Sequence, residues 1–298
     1  MQLDRVDPAL RDYLSRLRGV DTGRRLGRLL GRVAPRLIRW PREPGVRIGR
    51  GRLGGVRVRT YSPPQRSTDA VLLWIHGGGM LIGAPHMDDS LCSEIAARLG
   101  MRVASVDYRL APEHPFPAPV DDCAAAYAAL VERGHTRIVI GGQSAGGGLA
   151  AALAQRLLDA GSVQPIAQLL FCPMLDDRTA ADRSRDALEH FVWNNRSNLA
   201  GWRAYLGAEP GSDAVPDAAA PARRGSLAGL PPAWIGVGDI DLFHDEDVAY
   251  AERLREAGVA VELRVVPGAP HGFESLALGA APALEQRAAA IDWLGAAL

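Results

Sequence analysis

Three short segments of the chain combine the residue types that serine hydrolases use. They are His76–Gly79 (HGGG), Gly142–Gly146 (GQSAG) and Pro270–Phe273 (PHGF). A serine supplies a nucleophile, a histidine supplies the base that activates it, and backbone N–H groups beside glycines bind the oxyanion of the transition state. Nucleophilic acyl transfer is therefore the chemistry that these segments predict.

Ser144 is the predicted nucleophile. It follows the apolar run Ile138–Ile140 and precedes a stretch of small residues that begins at Ala145. A serine at a strand-to-helix turn is typical of a nucleophile elbow, in which Gly142 and Gly146 leave room where a Cβ atom would not fit. Considered alone, the same glycine-rich turn is also compatible with a phosphate-binding loop or with tight packing.

The predicted oxyanion-hole donors are the backbone N–H groups of Gly77, Gly78 and Ala145. The two glycines follow the strand-like run Val71–Ile75, and their lack of a side chain lets the backbone approach a substrate oxygen. Ala145 follows the serine at a predicted helix N-terminus. The alternative is that the segment His76–Gly79 is only a turn after a strand, with His76 as a structural residue. The serine elbow two strands later disfavours this alternative.

His271 is the predicted base, because it follows the strand-like run Val261–Val266 in a loop rich in proline and glycine. The predicted acid is Asp241, preferred over Asp239, and both follow another apolar run. The resulting order Ser, Asp, His is that of α/β hydrolases. Three further carboxylates are expected to be helix N-terminal charges that offset the helix dipole, namely Asp245, Glu246 and Asp247.

The elements that must position these residues alternate between strand and helix patterns. The predicted strands are a hairpin over 46–61 and then 70–75, 102–107, 136–141, 166–173, 233–237 and 259–266, and the predicted helices are 87–99, 118–133, 145–160, 246–257 and 282–298. This alternation predicts the α/β class, with an eight-stranded, mostly parallel, doubly wound sheet and helices on both faces. Catalytic groups then belong at the carboxyl ends of the strands.

Two regions stand outside this alternation and predict a helical cap. Residues 1–45 are expected to be an N-terminal helical cap segment, and 46–298 the catalytic domain, in which the insertion 175–232 contributes to the cap. Several apolar side chains are candidates for the substrate pocket, with ordinary packing as an equal alternative: Met80, Leu81, Phe191, Trp193 and Phe273.

The charge pattern restricts the chemistry and the partners. The 298 residues have zero net charge, and all 34 basic residues are arginine, so Schiff-base chemistry and a Ser-Lys dyad are excluded. Residues 1–60 hold 16 arginines and 5 acidic residues. We expect these arginines to be solvated or to pair with the acidic remainder, because they are spread through helix and strand patterns. A membrane surface or a nucleic acid is less favoured as their partner.

Cysteine usage and hydropathy predict neither a cysteine metal site nor a membrane span. Cys92, Cys123 and Cys172 are odd in number and far apart, which is typical of buried apolar residues and not of disulfide or metal-site spacing. No apolar run reaches the roughly 18–20 residues of a membrane span, and the first 30 residues lack a signal-peptide pattern. We therefore expect a cytoplasmic location without stable membrane insertion.

Five segments in order carry a resemblance to a known family: 76–79, 107–118, 142–147, 241–246 and 271–273. Over residues 45–298 the chain resembles the bacterial hormone-sensitive-lipase-like carboxylesterases of the α/β-hydrolase superfamily. The resemblance implies hydrolysis of short- to medium-chain acyl esters, no cofactor, an N-terminal helical cap and commonly a homodimer.

The chain departs from that family at two positions. Gln143 stands where the family more often has Asp, and Leu242 where Pro more often follows the acid. Neither departure removes a catalytic role. Within the segment 107–118, Arg109 and Glu113 are expected to form buried pairs that brace the oxyanion loop. Amidase or thioesterase activity is the nearer alternative function, and a non-catalytic ligand receptor, which would lack the histidine, is the more distant one.

Overall fold

A computed structural model describes residues 3–15, 25–188 and 190–298. Its eight described strands form one sheet, and their bounds are β1 Arg47–Leu53, β2 Val56–Ser62, β3 Val71–Ile75, β4 Arg102–Val106, β5 Ile138–Gln143, β6 Ala167–Phe171, β7 Ala233–Gly238 and β8 Val261–Val266. The strand order is β1-β2-β4-β3-β5-β6-β7-β8. β1 and β2 form the predicted antiparallel hairpin, β2 runs antiparallel to β4, and all other neighbours are parallel.

Helices cover both faces of the sheet. The described α-helices are α1 Pro8–Ser15, α2 Arg25–Val33, α3 Asp89–Leu99, α4 Ala118–Glu132, α5 Ala145–Asp159, α6 Asp177–Ala181, α7 Asn195–Leu206, α8 His244–Glu256, α9 Phe273–Leu276 and α10 Ala281–Ala297. Side chains of α4, α5 and α8 belong to the apolar core on one face, and those of α3 and α10 to the core on the other. The predicted doubly wound sheet is confirmed.

Strand β3 shows why the sheet is buried on both sides. All five of its residues are buried. Leu73 and Ile75 pack into one core, whereas Leu72 and Trp74 pack into the other. Because side chains alternate between the faces of a sheet, a continuous apolar run is what a strand covered by helices on both faces requires.

The N-terminal residues fold back onto the end of the sheet that carries the predicted catalytic groups. Helix α1 begins at Pro8, and the Asp7 Oδ1 atom accepts from the Ala9 N–H at 2.8 Å, as a cap residue before a proline-led helix does. Leu10 and Leu14 of this helix pack beside Phe273. Residues 16–24 of the predicted helical region lie outside the described residues.

The insertion between β6 and β7 contains helices α6 and α7 together with three 3₁₀ turns, at Arg183–Ala187, Asp217–Ala219 and Pro221–Arg223. The first residue of this insertion, Leu175, is held by Glu246 at the start of α8, because the Glu246 Oε1 atom accepts from the N–H of Leu175 at 2.7 Å. Within the described residues, no helix has the length and apolar character needed to cross a membrane.

Several N-terminal arginines pair with carboxylates of the body. Arg32 binds Glu113 at 2.8 Å and Arg57 binds Asp107 at 2.8 Å. Intramolecular pairing is thus confirmed for these residues. The expected buried pairs of Arg109 and Glu113 are wrong, because Arg109 instead binds Asp122 with its side chain 49% exposed, and the Glu113 side chain is 57% exposed.

Candidate active site

Ser144 occupies a sharp turn between β5 and α5. Its backbone has φ 55° and ψ −123°, a conformation that L-residues rarely adopt, and its N–H donates to the carbonyl of Phe171 at 2.8 Å. A Cβ atom on Gly142 would lie 2.4 Å from the carbonyl oxygen of Gly146, and one on Gly146 would lie 2.0 Å from that of Ile75. Both glycines are therefore required by the close approach of the surrounding backbone.

The side chains of Ser144, His271 and Asp241 form a continuous hydrogen-bonded chain. His271 Nε2 lies 2.9 Å from Ser144 Oγ, and His271 Nδ1 lies 2.9 Å from Asp241 Oδ2. All three residues are buried. This arrangement places a base beside the hydroxyl and a carboxylate behind the base, which is the geometry that serine activation requires.

The two candidate acids occupy different environments. Asp241 Oδ1 accepts from the N–H of Phe243 at 2.9 Å, which fixes the carboxylate toward His271. Asp239 is exposed, and its Oδ1 accepts from the N–H of Gly268 at 2.7 Å. The structure thus brings Asp241 and not Asp239 to the histidine.

The glycines after β3 approach the serine. A Cβ atom on Gly77 would lie 3.4 Å from the Cβ atom of Ser144, and Gly78 has φ +117°. Ala145 is the first residue of α5, directly after the serine. Within the described chain, the N–H groups of Gly77 and Gly78 donate to no backbone carbonyl in the turns and loops. Gly77 and Ala145 therefore lie next to the serine, and Gly78 follows Gly77 in the same loop.

His76 is a structural residue beneath this loop. Its ring stacks on Tyr108 with ring centroids 4.3 Å apart, and its Nδ1 lies 2.8 Å from the Gly77 carbonyl oxygen. The Tyr108 hydroxyl donates to the His76 carbonyl at 3.0 Å. Burial lowers the pKa of His76 to about 4, so its ring is neutral at pH 7. The segment around Tyr108 therefore braces the loop that carries Gly77 and Gly78 through this tyrosine, in place of the expected arginine pair.

A second carboxyl group, Glu274, lies close to the histidine. Burial lowers the pKa of His271, but the charge and hydrogen bonds of Asp241, together with the charge of Glu274, outweigh burial and raise this pKa above 6.5. Burial also raises the pKa of Glu274. Gln143 donates a hydrogen bond to Glu274 from its Nε2 atom. Sequence reasoning missed Glu274, although its position three residues after the histidine was visible.

All three carboxylates predicted at a helix N-terminus lie in the first turn of α8, but Glu246 and Asp247 are buried, which disfavours their charged form. Burial raises the pKa of Glu246 to about 8, and it raises the pKa of Asp247 well above its usual range. Neither carboxylate oxygen of Asp247 has a hydrogen-bond partner among the described residues. Asp245 is exposed and pairs with Arg185 at 2.9 Å, and the hydrogen bonds of His244 and Arg185 lower its pKa, so this residue keeps the predicted helix-terminal charge.

A cavity of about 330 Å³ opens in front of Ser144 and His271. Phe191 and Trp193, both predicted pocket residues, line it, and so do several residues that sequence reasoning did not assign: Leu14, Trp40, Met87, Asp88, Val192 and Leu276. Leu14 and Trp40 come from the N-terminal segment, so only the folded chain brings them to the serine.

Three predicted pocket residues do not line the cavity. Met80 and Leu81 are buried in the core beside α4 and α5. Phe273 packs against α1. Met80 and Leu81 directly follow the segment His76–Gly79, and Phe273 ends the segment Pro270–Phe273, so the apolar character of all three serves packing. Ile82, the next residue after Leu81, lines the cavity in their place.

In the described part of the chain, one group of three side chains has the spacing of a metal site: Cys172, Asp241 and His271, with potential ligand atoms within 4.8 Å of one another. Asp241 and His271 already bind each other through Nδ1. Burial raises the pKa of the Cys172 thiol well above its usual range, which disfavours the thiolate that a metal would need. The hydrogen-bonded Ser-His-Asp arrangement accounts for this group without an ion.

Comparison with known proteins gives a consistent result. The alpha/beta hydrolase fold family matches residues 72–275. Esterase LipI of Mycobacterium tuberculosis is 36% identical over 261 residues, which cover 83% of this chain and 81% of that protein. Carboxylesterase NlhH of the same species is 36% identical over 278 residues, covering 87% of this chain and 84% of that protein.

Solved structures agree with these relatives. A bacterial heroin esterase superposes with a TM-score of 0.89 at 36% identity, covering 100% of this chain and 99% of that chain. An esterase of the bacterial hormone-sensitive lipase family superposes with a TM-score of 0.82 at 32% identity, covering 99% of this chain and 97% of that chain. The chain therefore belongs to the alpha/beta hydrolase fold family and, as its motifs predict, to the esterases of hormone-sensitive lipase type within it.

Proposed function

We propose that this protein is a serine carboxylesterase that hydrolyses short- to medium-chain acyl esters through an acyl-enzyme. The observation that carries the proposal is the position of His271, whose Nε2 is 2.9 Å from Ser144 Oγ while its Nδ1 is 2.9 Å from Asp241 Oδ2. The esterase names of relatives such as LipI and NlhH support the reaction class.

In the first step, Ser144 Oγ attacks the ester carbonyl carbon while its proton moves to His271 Nε2. Asp241 accepts a hydrogen bond from Nδ1–H and stabilises the imidazolium. The carbonyl oxygen becomes an oxyanion, which the N–H groups of Gly77, Gly78 and Ala145 bind. The C–O bond to the alcohol then breaks, and the alcohol leaves with the proton from His271.

In the second step, a water molecule attacks the acyl-enzyme and gives its proton to His271. The same three N–H groups bind the second oxyanion. The bond between the acyl carbon and Ser144 Oγ breaks, Oγ recovers the proton, and the carboxylic acid leaves. No step needs a metal or an organic cofactor.

The cavity supports a small substrate. Its volume of about 330 Å³ is near the lower end of ordinary ligand pockets, and Trp193 and Phe191 form an apolar wall. We further propose that residues 1–45 and 175–232 act as a cap over the catalytic domain 46–298. Leu14 and Trp40 from the first region and Val192 from the second support this division, because all three line the same cavity.

The test uses Ser144→Ala with Ser226→Ala, an exposed serine, as the matched control. We expect Ser144→Ala to lower kcat on p-nitrophenyl butyrate by at least about 10⁴-fold, since the nucleophile is lost. A fluorophosphonate should label the parent protein and the control at Ser144 and leave Ser144→Ala unlabelled, as shown by mass spectrometry of the peptides. Activity retained in Ser144→Ala contradicts the proposal.

Amidase and thioesterase activity share the same acyl-transfer steps. Rates on an oxyester, a thioester and an amide with the same acyl group separate the three activities. We expect the oxyester to be turned over far faster than the amide, because its alcohol leaves more easily. An amide hydrolysed as fast as the ester would assign the alternative function.

A further inference from the structure

Helix α2 presents an apolar face to solvent. Four apolar side chains of the helix are exposed: Leu26 (68%), Leu29 (58%), Leu30 (53%) and Val33 (42%). Two more are exposed just after it, Leu37 (83%) at the end of the 3₁₀ turn Ala34–Leu37 and Ile38 (52%). The opposite face of the helix packs on the body at Gly31, where a Cβ atom would lie 3.0 Å from Ile82. Leu26, Leu29, Leu30 and Val33 recur at the spacing of one helix face, and an exposed apolar face is typical of an interaction site in a folded protein.

The same segment is strongly basic. Residues 25–42 contain six arginines and no Asp or Glu. A helix with an exposed apolar face and flanking arginines has the composition of an interfacial helix, which lies in the plane of a lipid surface. In a globular protein an amphipathic helix normally turns its apolar face inward, and α2 does the reverse.

A basic groove lies next to this segment and adds a second observation. The groove has a volume of about 580 Å³, and the charged residues that line it are Arg39, Arg42, Arg50, Arg57, Arg59, Asp89 and Asp107. Its two carboxylates are already paired, Asp89 with Arg59 and Asp107 with Arg57. Among the described residues, the guanidinium groups of Arg39 and Arg50 form no ion pair. The groove therefore carries excess positive charge.

This face is joined to the candidate active site. Arg32 of α2 donates from Nε to the carbonyl of Leu81 at 2.8 Å and from a second nitrogen to that of Ala111 at 2.8 Å. Leu81 belongs to the loop that begins with Gly77 and Gly78. Trp40 lines both the basic groove and the cavity at Ser144. A partner bound on this face would therefore lie beside the catalytic cavity.

We propose that residues 25–42 and the basic groove form a docking face for an anionic lipid surface. The leucines would enter the acyl region, and the arginines would bind lipid phosphates. A nucleic acid would match the arginines but leave the leucines exposed. A second copy bound through the same face would bring two sets of these arginines together, so repulsion disfavours it. This binding goes beyond ester hydrolysis and does not require it.

The test measures co-sedimentation of the full chain, carrying Ser144→Ala, with vesicles. Vesicles of mixed phosphatidylglycerol and phosphatidylcholine should bind the protein, and vesicles of pure phosphatidylcholine should bind it much more weakly. Raising NaCl from 50 to 500 mM should release most of the protein, because salt screens the arginines. Equal binding to both kinds of vesicle, or no binding, overturns the proposal.

Two double variants separate the apolar and the charged contributions. Leu29→Gln/Leu30→Gln and Arg39→Gln/Arg50→Gln should each weaken binding by about tenfold or more. The matched control variants are Leu284→Gln and Arg102→Gln/Arg255→Gln, which change exposed residues outside the docking face. Both should bind vesicles like the parent protein. None of these residues lines the catalytic cavity, so in the active protein hydrolysis of a soluble butyrate ester should stay within about twofold.

Thermal melting of each variant shows whether it folds. If a double variant proves to be unfolded, the single changes Leu29→Gln and Arg39→Gln take its place. Each single change is expected to weaken vesicle binding by less than the double variant. Leu29→Gln/Leu30→Gln binding vesicles like the parent overturns the proposal. The proposal is also overturned if the parent protein is a dimer that does not bind vesicles and the Leu29→Gln/Leu30→Gln variant is a monomer. That result would assign the face to a second copy of the chain. Loss of esterase activity alone, with binding retained, counts against the proposed function only.

Discussion

Gln143, the residue before the nucleophile, donates a hydrogen bond from its side-chain amide to the buried carboxyl group of Glu274. The Gln143 Oε1 atom accepts from the hydroxyl of Ser275 at 3.1 Å, so both ends of the amide are held by the residues that follow His271. Glutamine suits this chain because it donates to a carboxyl group that an aspartate would repel.

Gln143→Asp should therefore destabilise the protein. We expect the free energy of unfolding to fall by about 1–3 kcal/mol, because Glu274 loses its donor and faces a second carboxyl group. The loss should be larger at pH 8 than at pH 6, since high pH requires both groups to ionise. Chemical denaturation at the two pH values measures this. The double variant Gln143→Asp/Glu274→Gln should recover most of the loss, and strictly additive effects would contradict the direct interaction.

The pH dependence of kcat/KM should report the carboxyl groups around His271. The histidine must be neutral to act as a base, and its pKa is raised above 6.5, so activity should fall as pH drops through that raised pKa. Glu274→Gln removes a negative charge that favours the imidazolium. The acidic limb should then move to lower pH by about one unit or less.

A pH–rate profile of Glu274→Gln, measured beside Glu262→Gln at an exposed position, checks this. A purely structural role for Glu274 would lower the maximum rate without moving the limb. An unchanged acidic limb would show that the charge of Glu274 does not affect the pKa of His271. A limb that moved to higher pH would show that Glu274 lowers this pKa, opposite to the prediction.

Gly78→Ala should be much more harmful to the rate than Gly77→Ala. Gly78 has φ +117°, and a Cβ atom there would lie 2.3 Å from the carbonyl oxygen of Ile82, whereas the nearest atom to a Cβ on Gly77 is 3.1 Å away. The alanine at 78 must displace an oxyanion donor, so kcat should fall by about 10²–10³-fold.

Gly134→Ala is the matched control, because Gly134 has φ +83° with open space around the added atom. Its backbone strain should lower stability without lowering kcat. Steady-state kinetics and thermal melting of the three variants separate the two effects. Equal kcat values for Gly77→Ala and Gly78→Ala would argue that Gly78 contributes no donor.

Trp193→Ala should shift the acyl-chain preference toward longer esters. Trp193 lines the cavity and lies over Gly79, where a Cβ atom would be 2.2 Å from its indole ring. Removing the ring lengthens the pocket, so the ratio of kcat/KM for p-nitrophenyl octanoate to that for butyrate should rise about tenfold. Loss of the buried ring should cost about 3 kcal/mol of stability.

Trp202→Ala is the control for this change. Trp202 is fully buried but does not line the cavity, so it should lose stability with the chain-length ratio unchanged. Both ratios are read from the same ester series. A shift in Trp202→Ala as large as that in Trp193→Ala would mean that general loosening, and not the wall of the pocket, sets the preference.

The strands and the order of the catalytic residues could be predicted from the sequence because they depend on local patterns. The run Val71–Ile75 predicts a strand buried on both faces, and glycines 142 and 146 predict the turn that presents Ser144. These residues act within a few positions of one another. Short-range sterics and side-chain alternation are therefore sufficient to identify the elements and the carboxyl ends at which chemistry belongs.

Only the tertiary structure decided what surrounds the catalytic groups. The sequence favours Asp241 over Asp239 as the acid, but only the folded turn points Asp241 at His271 and leaves Asp239 on the surface. Leu14 and Trp40 reach the cavity from the N-terminal segment, whereas Phe273, two residues after His271, packs against α1 and does not line the cavity. These outcomes depend on contacts between residues far apart in the chain, which a local pattern does not encode. By itself the sequence determined which residues are the candidates for the reacting groups, and long-range packing decided the pocket and the charges around them.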